Sequence, residues 1–161
     1  MDTAQVVQKP LMVIGPTGSG KSTLLKCLSL IEGDVKKTES IIYAPLAIDT
    51  PGEMIHIPYL FNALILNSSR ASLALFLVSA KQRYRLPSRI ALALKAPAIG
   101  IVSQIDGAEQ AEIERAEAVL AVAGLQRIFK VSSINGEGLP ELRAHLRPYL
   151  EQELKNFNRE E

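Results

Sequence analysis

Apolar and polar positions fall in blocks along this chain, short unbroken apolar runs alternating with longer periodic segments. Leu11-Met12-Val13-Ile14 predicts a buried strand ending at Gly15. Residues 22–31 predict a helix, with Leu24, Leu25, Leu28 and Ile31 on one face and Gly33 as its stop. Ile41-Ile42-Tyr43 and Leu46-Ala47-Ile48 read as two short strands, with Pro45 limiting the hairpin between them. Residues 58–68 predict a helix, and residues 73–78 form a continuous apolar strand. Pro87 suits the first position of a helix through Leu94, before a strand over residues 98–102. Residues 108–123 predict a helix with Ile113, Ala116 and Leu120 inside and Gly124 as its cap. A last strand covers residues 128–131, and a closing helix covers residues 139–157, where Pro148 should kink or break it. Strands that are apolar throughout need cover on both faces. The pattern therefore predicts a three-layer α/β domain around a mostly parallel sheet of about six strands.

Length and charge narrow this picture. At about 150 residues per domain, 161 residues make a single domain, with residues 1–9 and 158–161 expected as flexible ends. Eighteen Lys+Arg against 17 Asp+Glu give a net charge of +1, which argues against a strongly basic nucleic-acid module. Cys27 is the single cysteine, so neither an internal disulfide nor a multi-cysteine zinc site can form. Residues 1–10 lack the pattern of a secretory signal, and the longest apolar run, residues 71–80, is shorter than the ~20 residues that span a bilayer. The expected setting is cytoplasmic, without membrane insertion.

The chemistry begins at Gly15-Pro16-Thr17-Gly18-Ser19-Gly20-Lys21-Ser22, which matches G-x-x-x-x-G-K-[ST] between a predicted strand and a predicted helix. Such a loop folds its backbone N–H groups into a nest for phosphate oxygens, helped by the positive end of the following helix. Lys21 would reach the terminal phosphates, and the Ser22 hydroxyl would bind Mg²⁺. Thr23 is counted with the phosphate-binding set. The motif predicts a nucleoside triphosphate or diphosphate ligand. Ile48-Asp49-Thr50-Pro51-Gly52-Glu53 follows at the end of a strand. There Asp49 can hold Mg²⁺ through water and the Gly52 N–H can contact a γ-phosphate. Glu53 would orient a water beside it, although its charge is repelled by a polyanion. Thr38 either completes the Mg²⁺ shell or is an ordinary solvated loop threonine.

Val102-Ser103-Gln104-Ile105-Asp106 follows a later strand. With it, the set resembles a small GTPase of the translation-factor-related class, whose base motif is [NT]-K-x-D. Asp106 matches the residue that accepts hydrogen bonds from guanine N1–H and its 2-amino group. Ser103 stands for Asn or Thr, and Gln104 replaces the lysine that covers the base. Ser132-Ser133-Ile134 resembles the last motif, whose backbone N–H groups approach the base oxygen. The resemblance favours guanine over adenine, with ATP as the alternative to GTP or GDP.

Finer details resemble the EutP/PduV family of ethanolamine and propanediol utilisation proteins, from Leu11 to about Leu150. They are I-D-T-P-G-E with Pro58 soon after it, Lys37-Thr38 in a short loop, Arg85-Leu86-Pro87, and I-V-S-Q-I-D ending at Asp106. The resemblance implies a Ras-like P-loop fold and association with bacterial microcompartments, through a shell or pathway protein. For activity it implies a GTPase-like protein, which the charge of Glu53 would make slow, and two alternatives stand beside that reading. One is an ATP-dependent acetate kinase. The other is a nucleotide-dependent recruitment module with little catalysis. Cys27 reads as a core filler, His56 as a loop histidine, and Arg83 and Arg85 as surface arginines with a lesser case for a transition-state cation.

Overall fold

A computed structural model of the protein describes residues 9–29, 42–43 and 47–157. Its centre is a six-stranded sheet of β1 (Leu11–Ile14), β2 (Ile42–Tyr43), β3 (Ala47–Asp49), β4 (Leu73–Ser79), β5 (Ala98–Ser103) and β6 (Ile128–Lys130). The spatial order is β2-β3-β1-β4-β5-β6. Five strands are parallel, and β2 adds an antiparallel edge against β3, with Ile42 opposite Asp49.

Side chains alternate across each strand, which sorts the apolar runs into two cores. Met12, Ile14, Phe76 and Val78 point to one face, where Leu64 of α2 (Pro58–Ser68) and Ala116 and Leu120 of α3 (Gln110–Val122) cover them. Leu11, Val13, Leu75 and Leu77 point to the other. They are covered by Leu24 and Leu25 of α1 (Lys21–Cys27) and by Leu142 and Leu146 of α4 (Leu139–Phe157). The predicted three layers are present, and α3 opens with a reciprocal cap between Glu109 and Glu112.

Three expectations change. The first helix stops at Cys27, because Leu28 leaves helical geometry and Ser29 adopts φ 59°. Ile31 and Gly33, once expected as its last contact and its stop, lie outside the described residues, as do Thr38 and the Lys37 beside it. No α-helix follows Pro87. Residues 87–94 form turns around a single 3₁₀ turn, Ile90–Ala93, and Arg89 sits at φ 60°. The backbone N–H groups of Arg89 and Ala91 donate to the Val122 and Ala123 carbonyls at 2.8 and 2.9 Å, which ties the segment to the end of α3. The Ala91 donor spent on α3 cannot also carry a helical ladder, and Arg89 at φ 60° has left helical geometry. Finally, α4 continues past Pro148 to Phe157, so the proline does not break it. No described helix is long and apolar enough to cross a membrane.

The consequence for the site lies in the β4–β5 crossover. After Ser79 the chain runs as an irregular strap through residues 80–89, and this strap passes the loop that follows β1.

Candidate functional site

All the motif residues within the described part gather at the carboxyl ends of the parallel strands, where open α/β sheets place their ligands. The loop after β1 is shaped by its glycines. A Cβ at Gly15 would lie 2.3 Å from the Leu77 carbonyl oxygen, and Gly18 and Gly20 adopt φ 82° and 86°. The Ser19 N–H and the Lys21 ammonium both donate to the Pro16 carbonyl, each at 3.1 Å. Ser19 Oγ is buried with no hydrogen-bond partner among the described residues. Lys21 is only 7% exposed. Burial pulls its ammonium below the ordinary lysine range, while the Asp49 and Glu53 carboxylates push the other way. A buried cation at the mouth of a glycine-shaped loop is suited to an anion that can share its desolvated position.

The turn after β3 closes on this loop. The Thr50 hydroxyl donates to the Val13 carbonyl at 2.7 Å, holding the turn on β1. Gly52 then presses on Thr17, where an added Cβ would meet the Thr17 nitrogen at 2.2 Å. Only glycine allows that approach. Ser22 donates through its hydroxyl to the Asp49 carboxylate. This hydroxyl–carboxylate pair is the hard-oxygen set that suits Mg²⁺, whose remaining positions would come from phosphate and water. Glu53 follows in a short 3₁₀ turn, Gly52–Ile55, close enough to influence Lys21.

The base-side residues form the far rim. Ser103 donates through Oγ to the Ser19 carbonyl, and Gln104 donates through Nε2 to the Gly18 carbonyl at 3.2 Å. Gln104 also accepts from the Ser79 hydroxyl and sits at φ 57°. The residue that replaces the motif lysine is thus bonded to the phosphate loop. Asp106 receives the Ser132 hydroxyl on Oδ1 at 2.8 Å and the Lys81 ammonium on Oδ2 at 3.3 Å. The Ser132 bond, seconded by Lys81, holds the carboxyl below its ordinary range.

In the last turn, two of the three amides are bonded within the protein. The Ser132 N–H donates to the Glu137 carbonyl, and the Ile134 N–H to its own turn's Ser132 hydroxyl at 3.2 Å. Ser133 keeps the N–H of this trio that has no acceptor among the described residues, and the Ile134 side chain is 84% exposed. Cys27 is half-buried against the α1–α4 core with Sγ 3.5 Å from the Ser133 carbonyl, as a core filler should be. His56 is exposed and stacks on Tyr84, with ring centres 6.2 Å apart.

Sequence reasoning missed the strap. Lys81 reaches Asp106, the Gln82 amide lies under Gly18, and Tyr84 donates its hydroxyl to the Thr17 carbonyl at 2.7 Å. A signal for Lys81 existed in strand pairing. Ser79 is in register with Ser103, so residues just past β4 must lie beside residues just past β5.

Solved structures share this fold. A probable GTP-binding protein EngB superposes with a TM-score of 0.63 at 19% identity, over 89% of this chain and 99% of that one. Translation elongation factor SelB from Methanococcus maripaludis, in complex with the GTP analogue GppNHp, superposes with a TM-score of 0.62 at 24% identity. The match covers 89% of this chain and 34% of SelB, so this chain spans about a third of that protein. The FeoB G-domain from Methanococcus jannaschii follows with a TM-score of 0.56 at 18% identity, over 89% and 97% of the two chains. Among curated proteins, the propanediol utilization protein PduV of Citrobacter freundii is 30% identical over 135 residues, which are 83% of this chain and 90% of PduV. The PduV-EutP family model, described as ethanolamine utilisation and propanediol utilisation, matches residues 8–148. With the P-loop GTPase fold and this match over most of its length, the chain belongs to the PduV-EutP family.

Proposed function

We propose that this protein binds a guanine nucleotide with Mg²⁺ and hydrolyses it slowly, as a nucleotide-dependent component of ethanolamine or propanediol utilisation. One observation carries the reading. The phosphate loop and the Asp106 rim are joined through the Ser103–Ser19 and Gln104–Gly18 hydrogen bonds, so a single ligand can span both. In this reading the amides of residues 15–20 cradle the phosphates, and Lys21 neutralises the terminal charge. Thr23 borders the same phosphates. Ser22 and Asp49 would hold Mg²⁺, which would supply positive charge against the negative charge of the phosphates. The Gly52 N–H faces the γ-phosphate, and Glu53 orients the attacking water. Glu53 brings a negative charge to a polyanion, so turnover is slow.

Asp106 exchanges the Lys81 ammonium for the guanine N1–H and 2-amino group. That exchange replaces one charge-assisted contact by two hydrogen bonds. The Ser133 N–H is left to meet the base oxygen. In the same reading, the nucleotide state governs association with a microcompartment shell or pathway protein.

The test is base exchange. Asp106→Asn should weaken GTP by roughly 30- to 1,000-fold, leave ATP little changed, and make xanthosine triphosphate the better ligand. Measuring phosphate release from GTP and ATP, with and without acetate, separates hydrolysis from phosphotransfer. Acetate-dependent consumption of ATP, with no guanine preference, would replace this reading by that of an acetate kinase.

A further inference from the structure

The strap that stands where a crossover helix was expected leaves a pocket of about 410 Å³ between itself and α3. Arg83 and Arg85 enter from the strap and Arg115 from α3. None of the side chains lining the pocket is acidic, and none of these three guanidinium groups has an ion-pair partner among the described residues. Three arginines lining one pocket favour an anion there. Guanidinium forks match the two oxygens of a carboxylate or the edge of a phosphate. Val78 and Val119 supply apolar wall in the same pocket. Its volume lies near the lower end of the range for small-molecule sites.

We propose that Arg83, Arg85 and Arg115 form a binding site for a small organic anion, a short-chain carboxylate, separate from the nucleotide site. The apolar wall selects an organic anion over inorganic phosphate, because phosphate has no tail to bury. The site is wired to the phosphate loop. Tyr84, between the two strap arginines, donates to the Thr17 carbonyl, and Gln82 packs under Gly18. A ligand that orders the strap therefore bears on the loop, and linkage requires the loop's ligand to bear equally on the anion.

Binding is tested on the full chain without nucleotide, by following backbone amide resonances during titration with butyrate, butyramide and inorganic phosphate. Butyrate should give saturable shifts over residues 82–85 and 115–119, butyramide should not, and phosphate should bind there more weakly. Arg115→Gln should weaken butyrate by roughly tenfold or more, and the Arg83→Gln/Arg85→Gln double variant should do the same from the strap side. GTP binding to the same variants, measured without butyrate, shows whether the nucleotide site is intact. Equal shifts with butyramide would overturn the proposal, as would non-saturating shifts or shifts confined to residues 15–22. Butyrate binding that survives both arginine variants unchanged would also overturn it.

Discussion

Asp106 holds two protein contacts, and the effect of each can be measured. The Ser132 hydroxyl is the largest single cause that keeps the carboxyl below its ordinary range, and Lys81 adds both a hydrogen bond and a charge. Ser132→Ala and Lys81→Ala should each raise the Asp106 pKa, as read by NMR titration of its side-chain carboxyl carbon. A pKa unmoved by Ser132→Ala would remove the hydroxyl from that role. Gly52 illustrates a different constraint, of space rather than charge. An added methyl would lie 2.2 Å from the Thr17 nitrogen, a backbone atom that cannot swing away. Gly52→Ala should cost about 1–3 kcal/mol of stability and push the Thr50–Gly52 turn off the loop, lowering triphosphate affinity as well. Unfolding in urea and nucleotide titration of the same variant check both parts. The positions of Asp49 and Gly52 beside the loop after β1 were legible in sequence because their spacing is a local pattern. Lys81, Tyr84 and Arg115 were not, because each gains its partner only when β4 and β5 align and the strap meets α3.

Two elements carry strain or titration that can be moved independently of the site. Arg89 holds φ 60° to let its N–H and that of Ala91 reach the end of α3. Arg89→Gly should stabilise the fold by about 0.5–1 kcal/mol, the left-handed penalty outweighing the added freedom of the unfolded chain. A lowered unfolding midpoint would mean that the arginine side chain matters more than its backbone. On α4, His145 packs between Phe129 and Tyr149, with ring centres 5.1 and 6.2 Å away. Burial, aided by Arg127, lowers its pKa from the ordinary 6.5. The unfolded chain then takes up the proton more readily than the folded one. Its contribution to stability is therefore complete above pH 6.5 and is lost as pH falls through the lowered folded value. His145→Gln should flatten the pH dependence of the unfolding midpoint below pH 6.5 and leave it unchanged well above that value. The strands and α2, α3 and α4 were legible because their apolar periods are long. The segment after Pro87 was misread because Leu, Ile and Ala suit a helix there, and only backbone bonds to α3 override that local preference.

For the whole molecule, the proposed ligand and the fold are one equilibrium. Guanine nucleotide with Mg²⁺ at 100 times its Kd should raise the unfolding free energy by about 2.7 kcal/mol, with ATP at the same concentration giving less. Scanning calorimetry with each nucleotide, before and after chelating Mg²⁺, reads both the base preference and the metal's share. The order of strands has a further effect, on the timing of synthesis. β1 comes first in the chain yet lies inside the sheet, between β3 and β4. Its second neighbour, Leu73–Ser79, is made about sixty residues later. At 5–20 residues per second, Leu11–Ile14 waits roughly 3–12 s on the ribosome with an apolar edge unpaired. The nascent chain is then open to chaperones or to wrong pairing, and slower translation of residues 15–72 would lengthen that exposure without changing the folded protein.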